Sequence, residues 1–76
     1  MLPEKIQKKR KVFAINLKAA RIEAGLTQED VGKITSLTRT FISRVETAKS
    51  SVSLDHAEVL AEAVHKPLCK LLTPRE

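Results

Sequence analysis

Apolar residues recur along this chain at spacings of three and four, which places them on one face of an α-helix. The first such face predicts a helix over about residues 8–24. Its members are Phe13, Leu17, Ala20 and Ala24. Gly25 should end this helix because glycine adopts the left-handed conformation at low cost, and Leu26 can then fold back over the helix end.

Two short helices joined by a tight turn should follow. The Thr27 hydroxyl can accept from the first free N–H groups of a helix that begins at about Gln28. Thr38 repeats this signal for a helix that begins at about Arg39. The inward stripe of this second helix is apolar, with Leu37, Ile42 and Val45. Its outer face is polar and basic, with Arg39, Thr40, Ser43 and Arg44.

The last third of the chain predicts two more helices. Ser53 is a suitable N-cap for a fourth helix with apolar residues at helical spacing, namely Leu54, Ala57, Leu60, Ala61 and Val64. Pro67 is well placed as the first residue of a short fifth helix, whose apolar side is Leu68, Leu71 and Leu72. Alternating stretches are too short for strands, so we expect an all-α fold. Residues 1–7 should form a flexible N-terminal arm and residues 8–76 a single domain.

Composition and charge favour a nucleic-acid partner. The 76 residues carry 14 Lys and Arg against 9 Asp and Glu, which gives a net charge of +5 and a pI near 9.7. The charge is uneven, because residues 53–76 carry three basic and four acidic side chains. Only two aromatic residues are present, Phe13 and Phe41. Base stacking on single strands is therefore disfavoured, and double-stranded DNA fits better.

Little in the sequence suggests catalysis or metal binding. Cys69 is the only cysteine, and His56 and His65 are far apart, so neither a disulfide nor an ordinary zinc site is expected. No nucleophile elbow or glycine-rich phosphate loop occurs. We therefore expect no enzyme activity, no cofactor and no metal. Cys69 should be a small buried apolar residue, and the lack of a long apolar run favours a cytoplasmic protein without a membrane span.

The order and spacing of several short motifs resemble the lambda-repressor-like, Cro-type (XRE) helix-turn-helix regulators. The residues concerned are Leu17, Arg21, Gly25-Leu26-Thr27-Gln28, Val31, Ile42-Ser43, Val45-Glu46 and Ser53-Leu54. Residues 36–43 are most similar to phage regulators and to the controller proteins of restriction-modification systems. The resemblance implies a compact five-helix DNA-binding domain in which helices 2 and 3 form the helix-turn-helix.

Three positions depart from the pattern of the family. Gly32 stands where alanine is usual, which keeps the small volume needed for close helix crossing but costs about 1 kcal/mol of helix propensity. Ala48 and Val52 stand where the family often has glycine and proline. The turn after the recognition helix is therefore the part of the motif whose geometry the resemblance predicts least.

The resemblance also implies which residues contact bases. It places Arg39 and Thr40 at the start of the recognition helix, and Arg44 one turn later, where side chains reach base edges. Arginine can donate two parallel hydrogen bonds to guanine O6 and N7, and threonine offers a hydroxyl and a methyl group. Thr38 and Ser43 are further expected contacts. The alternative for both arginines is a solvated charge or a phosphate contact.

Phosphate contacts are expected from residues that flank the recognition helix. Gln28 would donate from the N-terminus of the second helix, although its amide could instead make a local capping contact. Lys49 and Ser50 could hold the next phosphates, or form a merely exposed loop. Arg21 and Glu46 match the family's structural ion pair, which we expect to be mostly buried.

Two further features have alternative interpretations. Phe41 could close over the edge of the core or touch a thymine methyl group. The run Lys8-Lys9-Arg10-Lys11 could be a solvated helix start or a basic arm that reaches phosphate or the minor groove.

One recognition helix covers only a few base pairs, so the resemblance implies a homodimer on a palindromic operator. We expect the dimer interface at Leu68, Leu71 and Leu72 and at the exposed side of the fourth helix. The predicted function is a sequence-specific transcription regulator, either a repressor or an autoregulatory controller, without a small-molecule effector. The alternatives are an antitoxin of a toxin–antitoxin pair, against which the short tail after the fifth helix argues, and a non-specific architectural DNA binder.

Overall fold

The computed structural model describes residues 3–75, which form five helices and no strand. The helices are α1 (Glu4–Glu23), α2 (Gln28–Thr35), α3 (Arg39–Glu46), α4 (Leu54–Ala63) and α5 (Leu68–Leu71). The predicted all-α, five-helix class is confirmed, and α2 and α3 begin at the predicted residues. Helix α3 packs between α2 and α1, and α5 packs on α1 and α4.

Helix α1 begins earlier than the sequence suggested. Its N-cap is Pro3, whose carbonyl accepts from the N–H of Gln7 at 3.2 Å. Glu4 lies in the first turn, where its charge suits the helix dipole, and its carboxylate lies 3.8 Å from Lys8 Nζ. The prediction of a flexible arm is therefore wrong for residues 4–7, and residues 1–2 lie outside the described residues. The basic run of residues 8–11 lies on a helix rather than on an arm.

Four helices end at a residue in the left-handed conformation. Gly25 after α1 has φ +74°, as the sequence predicted, but Ser36 after α2 has φ +62°, and Ala48 after α3 and His65 after α4 have φ +60°, without being glycine. At the end of α3 the N–H of Lys49 donates to the carbonyl of Arg44 at 2.8 Å, which closes the turn. A side chain in this conformation costs about 1–2 kcal/mol, so Ala48 adopts, at some cost in stability, a conformation that glycine would adopt more easily.

The core is aliphatic apart from one phenylalanine. Its buried members are Phe13, Leu17, Ala20, Val31, Ile42, Val45, Ala57, Leu60, Ala61, Ala63, Val64 and Leu71. Ala24 and Cys69, which were predicted to be buried, are exposed instead, and so is Leu54, which the sequence placed among the apolar residues of the fourth helix. Ala24 and Leu54 stand at helix ends, where the side chain extends past the core. In α5 the one buried residue is Leu71, so Cys69 lies on the solvent side.

Asn16 docks α5 against α1, a role that was not predicted from the sequence. Its side chain is buried, and Nδ2 donates to the carbonyl oxygens of Leu71 at 3.0 Å and Thr73 at 2.8 Å. These carbonyls belong to the end of α5, where no later helical N–H can reach them. A polar residue three positions after Phe13 and four before Ala20, on the apolar stripe of α1, was the available signal. Pro67 is the N-cap of α5 rather than its first residue.

Gly32 lies where α2 meets the turn into α3. A Cβ atom at this position would lie 2.9 Å from the carbonyl oxygen of Leu37, which is closer than such atoms normally approach. The absence of a side chain therefore allows α2 to contact the turn that leads into the recognition helix.

Candidate nucleic-acid interface

Helix α3 exposes one polar face because its other face is buried. The Thr38 hydroxyl accepts from the N–H of Phe41 at 3.0 Å and so fixes the start of the helix. Ile42 and Val45 are at most 1% exposed. Arg39, Thr40 and Arg44, the three residues predicted to contact bases, are all exposed. Since no other part of residues 3–75 buries this face, it is accessible to a large partner.

Helix α2 begins with a reciprocal cap. The Thr27 hydroxyl accepts from the N–H of Asp30 at 3.0 Å, and the N–H of Thr27 donates to the Asp30 carboxylate at 2.9 Å. This backbone donor, followed by the Thr27 side chain, lowers the pKa of Asp30 below its usual value. The cap fixes the N-terminus of α2 beside Gln28.

Arg21 and Glu46 form an ion pair that joins α1 to the end of α3. Arg21 Nε donates to Glu46 Oε2 at 2.7 Å and Nη2 donates to Oε1 at 3.1 Å. The side chains are 12% and 2% exposed, respectively. Arg21 Nη1 also donates to the carbonyl of Leu26 at 2.8 Å, which ties in the turn after α1. The pair therefore sets the position of α3 relative to α1.

Gln28 belongs to the same network, which neither sequence interpretation had included. Its Nε2 donates to Glu46 Oε1 at 3.1 Å, so the Glu46 carboxylate accepts from two side chains on two helices. The Gln28 side chain is thus directed towards Glu46. Its backbone N–H remains at the N-terminus of α2, where the helix dipole favours an anion.

Arg44 contacts the loop that follows α3. Its Nε donates to Ser50 Oγ at 2.9 Å, and its Nη2 donates to the carbonyl of Lys49 at 3.1 Å. The residues predicted for phosphate contact in this loop therefore lie against Arg44. Base contact by Arg44 would require its guanidinium to leave both acceptors. No sequence motif signals this arrangement, because the hydroxyl and carbonyl are five to six positions away across a turn.

Phe41 and Ser43 are both half-buried. Phe41 packs against the core, and its ring meets the ring of His56 edge to face with centroids 5.4 Å apart. Of the two roles considered for Phe41, this arrangement corresponds to the one in which its ring closes over the edge of the core. The carbonyl of Ser43 accepts from the hydroxyl of Thr47 at 2.9 Å, within the last turn of α3.

The leucines predicted for a dimer interface are not equivalent. Leu71 is 2% exposed and belongs to the core, so its assignment to an interface is wrong. Leu72 is 47% exposed, and Leu68 is half-buried. These two residues line an apolar groove of about 270 Å³ between α1, α4 and α5. Its other apolar walls are Phe13, Val52, Leu54 and Ala57, and Lys9 and Arg10 also line it.

Residues 3–75 contain neither a cluster of metal-ligating side chains nor a membrane-spanning helix. No group of three or more His, Cys, Asp or Glu side chains in this part of the chain could hold a metal ion. No helix among these residues has the length and hydropathy needed to cross a membrane.

Comparison with known proteins identifies this arrangement of helices. Residues 17–71 match a family model described as helix-turn-helix. A hypothetical transcription factor of Neisseria meningitidis is 33% identical over 73 residues, which cover 96% of this chain and 68% of that protein. Control protein C.SmaI of Serratia marcescens is 34% identical over 64 residues, covering 84% of this chain and 76% of its own length.

A solved structure agrees with these relatives. The restriction-modification controller protein C.AhdI of Aeromonas hydrophila superposes with a TM-score of 0.77 at 29% identity, over 82% of this chain and 94% of that protein. The predicted resemblance is confirmed. The chain belongs to the Cro-type (XRE) helix-turn-helix family of DNA-binding transcription regulators.

Proposed function

We propose that this regulator binds a palindromic DNA operator as a homodimer and reads bases from the start of α3. The observation that carries the proposal is the asymmetry of this helix, whose inner side is closed by Ile42 and Val45 while Arg39 and Thr40 are exposed. A helix held in this way can enter the major groove without loss of core contacts.

Arg39 is the main base reader in this proposal. As the first residue of α3 it lies at the end that enters the groove in the usual docking of this motif. Its guanidinium fits the O6 and N7 acceptors of guanine, and Thr40 beside it offers a methyl group to thymine. Thr38 and Ser43 flank this pair as further contacts.

Phosphate contacts before and after α3 in the chain fix its position along the DNA. The N-terminus of α2 at Gln28 supplies backbone N–H groups, and the loop after α3 supplies Lys49 and Ser50. Lys49 is exposed, whereas Ser50 is half-buried. These contacts carry affinity without sequence preference, so their loss should weaken binding to every duplex alike.

The groove between α1, α4 and α5 is the proposed dimer surface. Leu54 is 78% exposed and Leu72 is 47% exposed, and both line this groove. A two-fold interface lets the same patch serve both copies, with Leu54 of each copy packed into the groove of the other. The basic residues Lys9 and Arg10 at the groove then face the acidic last third of the partner copy.

The regulatory role proposed is that of a repressor or of an autoregulatory controller acting in the cytoplasm. Support comes from the relatives named as a control protein and a restriction-modification controller protein. The sites that such a regulator recognises would be symmetric, with half-site spacing set by the dimer.

Selection of preferred duplexes from a random pool, followed by titration of the selected and a scrambled duplex at two salt concentrations, tests the proposal. We expect symmetric half-sites and at least a 10³-fold preference for the selected duplex. Equal affinity for both duplexes, with steep weakening in salt, would instead identify a non-specific architectural binder.

A further inference from the structure

Arg44 holds both main-chain polar groups of Lys49. The N–H of Lys49 donates to the backbone carbonyl of Arg44 at 2.8 Å. The carbonyl of Lys49 accepts from Arg44 Nη2 at 3.1 Å. One residue of the recognition helix therefore fixes the peptide groups on either side of the lysine that we assign to phosphate contact.

The loop held in this way is unfavourable by itself. Ala48 precedes Lys49 and has φ +60°, a conformation that alanine rarely adopts. Ser50 follows it, and its hydroxyl accepts from Arg44 Nε at 2.9 Å. The side chain of Arg44 thus bridges the two residues that come directly after the strained position, and it opposes relaxation of the turn.

The guanidinium of Arg44 retains donors for a partner. A guanidinium has five N–H groups, and two of these are used by Ser50 and Lys49. Arg44 is exposed, so the remaining three are accessible. Its guanidinium lies against the short loop that carries Lys49, and neighbouring positive charges of this kind suit the closely spaced phosphates of one DNA strand.

We propose that Arg44 is a positioning residue that holds the loop of residues 48–50 for phosphate contact, and that it does not read a base. This inference rests on the proposed function, because it concerns how the same interface binds duplex DNA. It differs from the base contact that the family resemblance implied for Arg44 and leaves base reading to Arg39 and Thr40.

A double-mutant cycle on the full chain tests the proposal. The variants are Arg44→Ala, Arg44→Lys, Lys49→Ala and the double variant Arg44→Ala/Lys49→Ala, each titrated with the selected and the scrambled duplex. Arg44→Ala should weaken both by about tenfold, which equals about 1.4 kcal/mol. Because the loop is then already released, adding Lys49→Ala should change affinity less than twofold further. Arg44→Lys keeps the charge but lacks the planar fork, and should recover only part of the loss.

The salt dependence and the base preference separate positioning from other roles. Arg44→Ala should reduce the slope of log affinity against log salt by roughly two phosphate contacts, whereas Lys49→Ala should reduce it by about one. The preferred base at every operator position should stay unchanged. Ser50→Ala, which removes the acceptor of Arg44 Nε, should cause a smaller loss of the same kind.

Two results would overturn this role. A changed base preference in Arg44→Ala would make Arg44 a base reader, and losses that add in the double variant would show that Arg44 and Lys49 act independently. Circular dichroism and thermal unfolding check that every variant is folded. Failure of the unmodified protein to prefer any duplex would refute the proposed sequence-specific binding. The two results above would refute only the positioning role of Arg44.

Discussion

Replacement of Arg21 by alanine tests how far the position of the recognition helix depends on one ion pair. The change removes two hydrogen bonds to the Glu46 carboxylate, at 2.7 and 3.1 Å, and one to the carbonyl of Leu26 at 2.8 Å. Glu46 keeps the donor from Gln28 at 3.1 Å but remains 2% exposed. A charged group is thereby left in the protein interior with one side-chain donor in place of three.

The expected loss in the free energy of unfolding follows from the burial of Glu46. Removal of one partner of a buried pair costs about 3–5 kcal/mol, and the remaining bond from Gln28 favours the lower end, about 3 kcal/mol. A domain of this size has a free energy of unfolding of about 4–11 kcal/mol. The loss is therefore about a quarter or more of the total. It should lower Tm by about 12–24 °C, at about 4–8 °C for each kcal/mol.

Urea unfolding monitored by circular dichroism measures the effect. The double variant Arg21→Ala/Glu46→Ala removes the buried charge as well, so it should be more stable than Arg21→Ala by about 1–3 kcal/mol. Lys18→Ala, at an exposed position on the same helix, is the control and should change stability by less than about 0.5 kcal/mol. A loss below about 1 kcal/mol for Arg21→Ala, or a double variant as unstable as the sum of the single ones, would refute this account.

Four other predictions concern turns, caps and the groove. Ala48→Gly should stabilise the protein by about 0.5–1 kcal/mol in urea unfolding, because glycine adopts φ +60° without the side-chain penalty; a loss of stability would contradict this. Gly32→Ala should cost about 1 kcal/mol net, because the added methyl group would lie 2.9 Å from a backbone oxygen, which outweighs its better helix propensity; a gain would refute the close contact. The lowered pKa of Asp30 stabilises the fold while the carboxyl is ionised. This contribution is complete at pH values well above the ordinary pKa of 3.8 and is lost as pH falls below 3.8 towards the folded pKa, so Asp30→Asn should flatten stability against pH in this acid range and nowhere else. Leu72→Asp should stay folded but sediment as a monomer, whereas Leu71→Asp should unfold at a cost of about 4 kcal/mol or more; a folded Leu71→Asp variant would place that residue outside the core.

The helix boundaries that the sequence predicted best are those set by local contacts. Thr27, Thr38 and Ser53 each cap a helix by accepting from an N–H three positions on, so a short stretch of sequence contains the whole interaction. The start of α1 was misplaced because it depends on charge rather than apolar periodicity. Glu4 and Lys8 stabilise the first turn without contributing to any core.

The inward side of α5 could not be predicted in the same way. A one-turn helix with two leucines, followed directly by Leu72, has no periodicity long enough to show which leucine faces the core. Asn16, 55 residues earlier, determines which leucine faces the core, because its side chain donates a hydrogen bond to the carbonyl of Leu71. The groove at Leu72 and the burial of Leu71 therefore both depend on a contact that sequence spacing does not contain.

For the recognition helix, the sequence predicted which side chains are exposed but not which groups they form hydrogen bonds with. The apolar stripe at Ile42 and Val45 correctly predicted that Arg39, Thr40 and Arg44 would be exposed. The hydrogen bonds of Arg44 depend on a turn at Ala48 that the resemblance left open. Helical geometry determines on which face of the helix a side chain lies. Its hydrogen-bond partners here depend on the path that the chain takes after the helix.

The two ends of α3 are held by different means, and this difference predicts how variants will affect DNA binding. Its C-terminal end is fixed by Glu46, which accepts from Arg21 on α1 and Gln28 on α2. Its N-terminal end, which carries Arg39, follows a turn that α2 approaches closely at Gly32. A shift at Gly32 therefore moves the base-reading end while the Glu46 network holds the other. Gly32→Ala should reduce discrimination between selected and scrambled duplexes more than Arg21→Lys does, when the two variants are compared at temperatures where both are folded. Equal loss of discrimination would mean that α3 moves as one rigid rod.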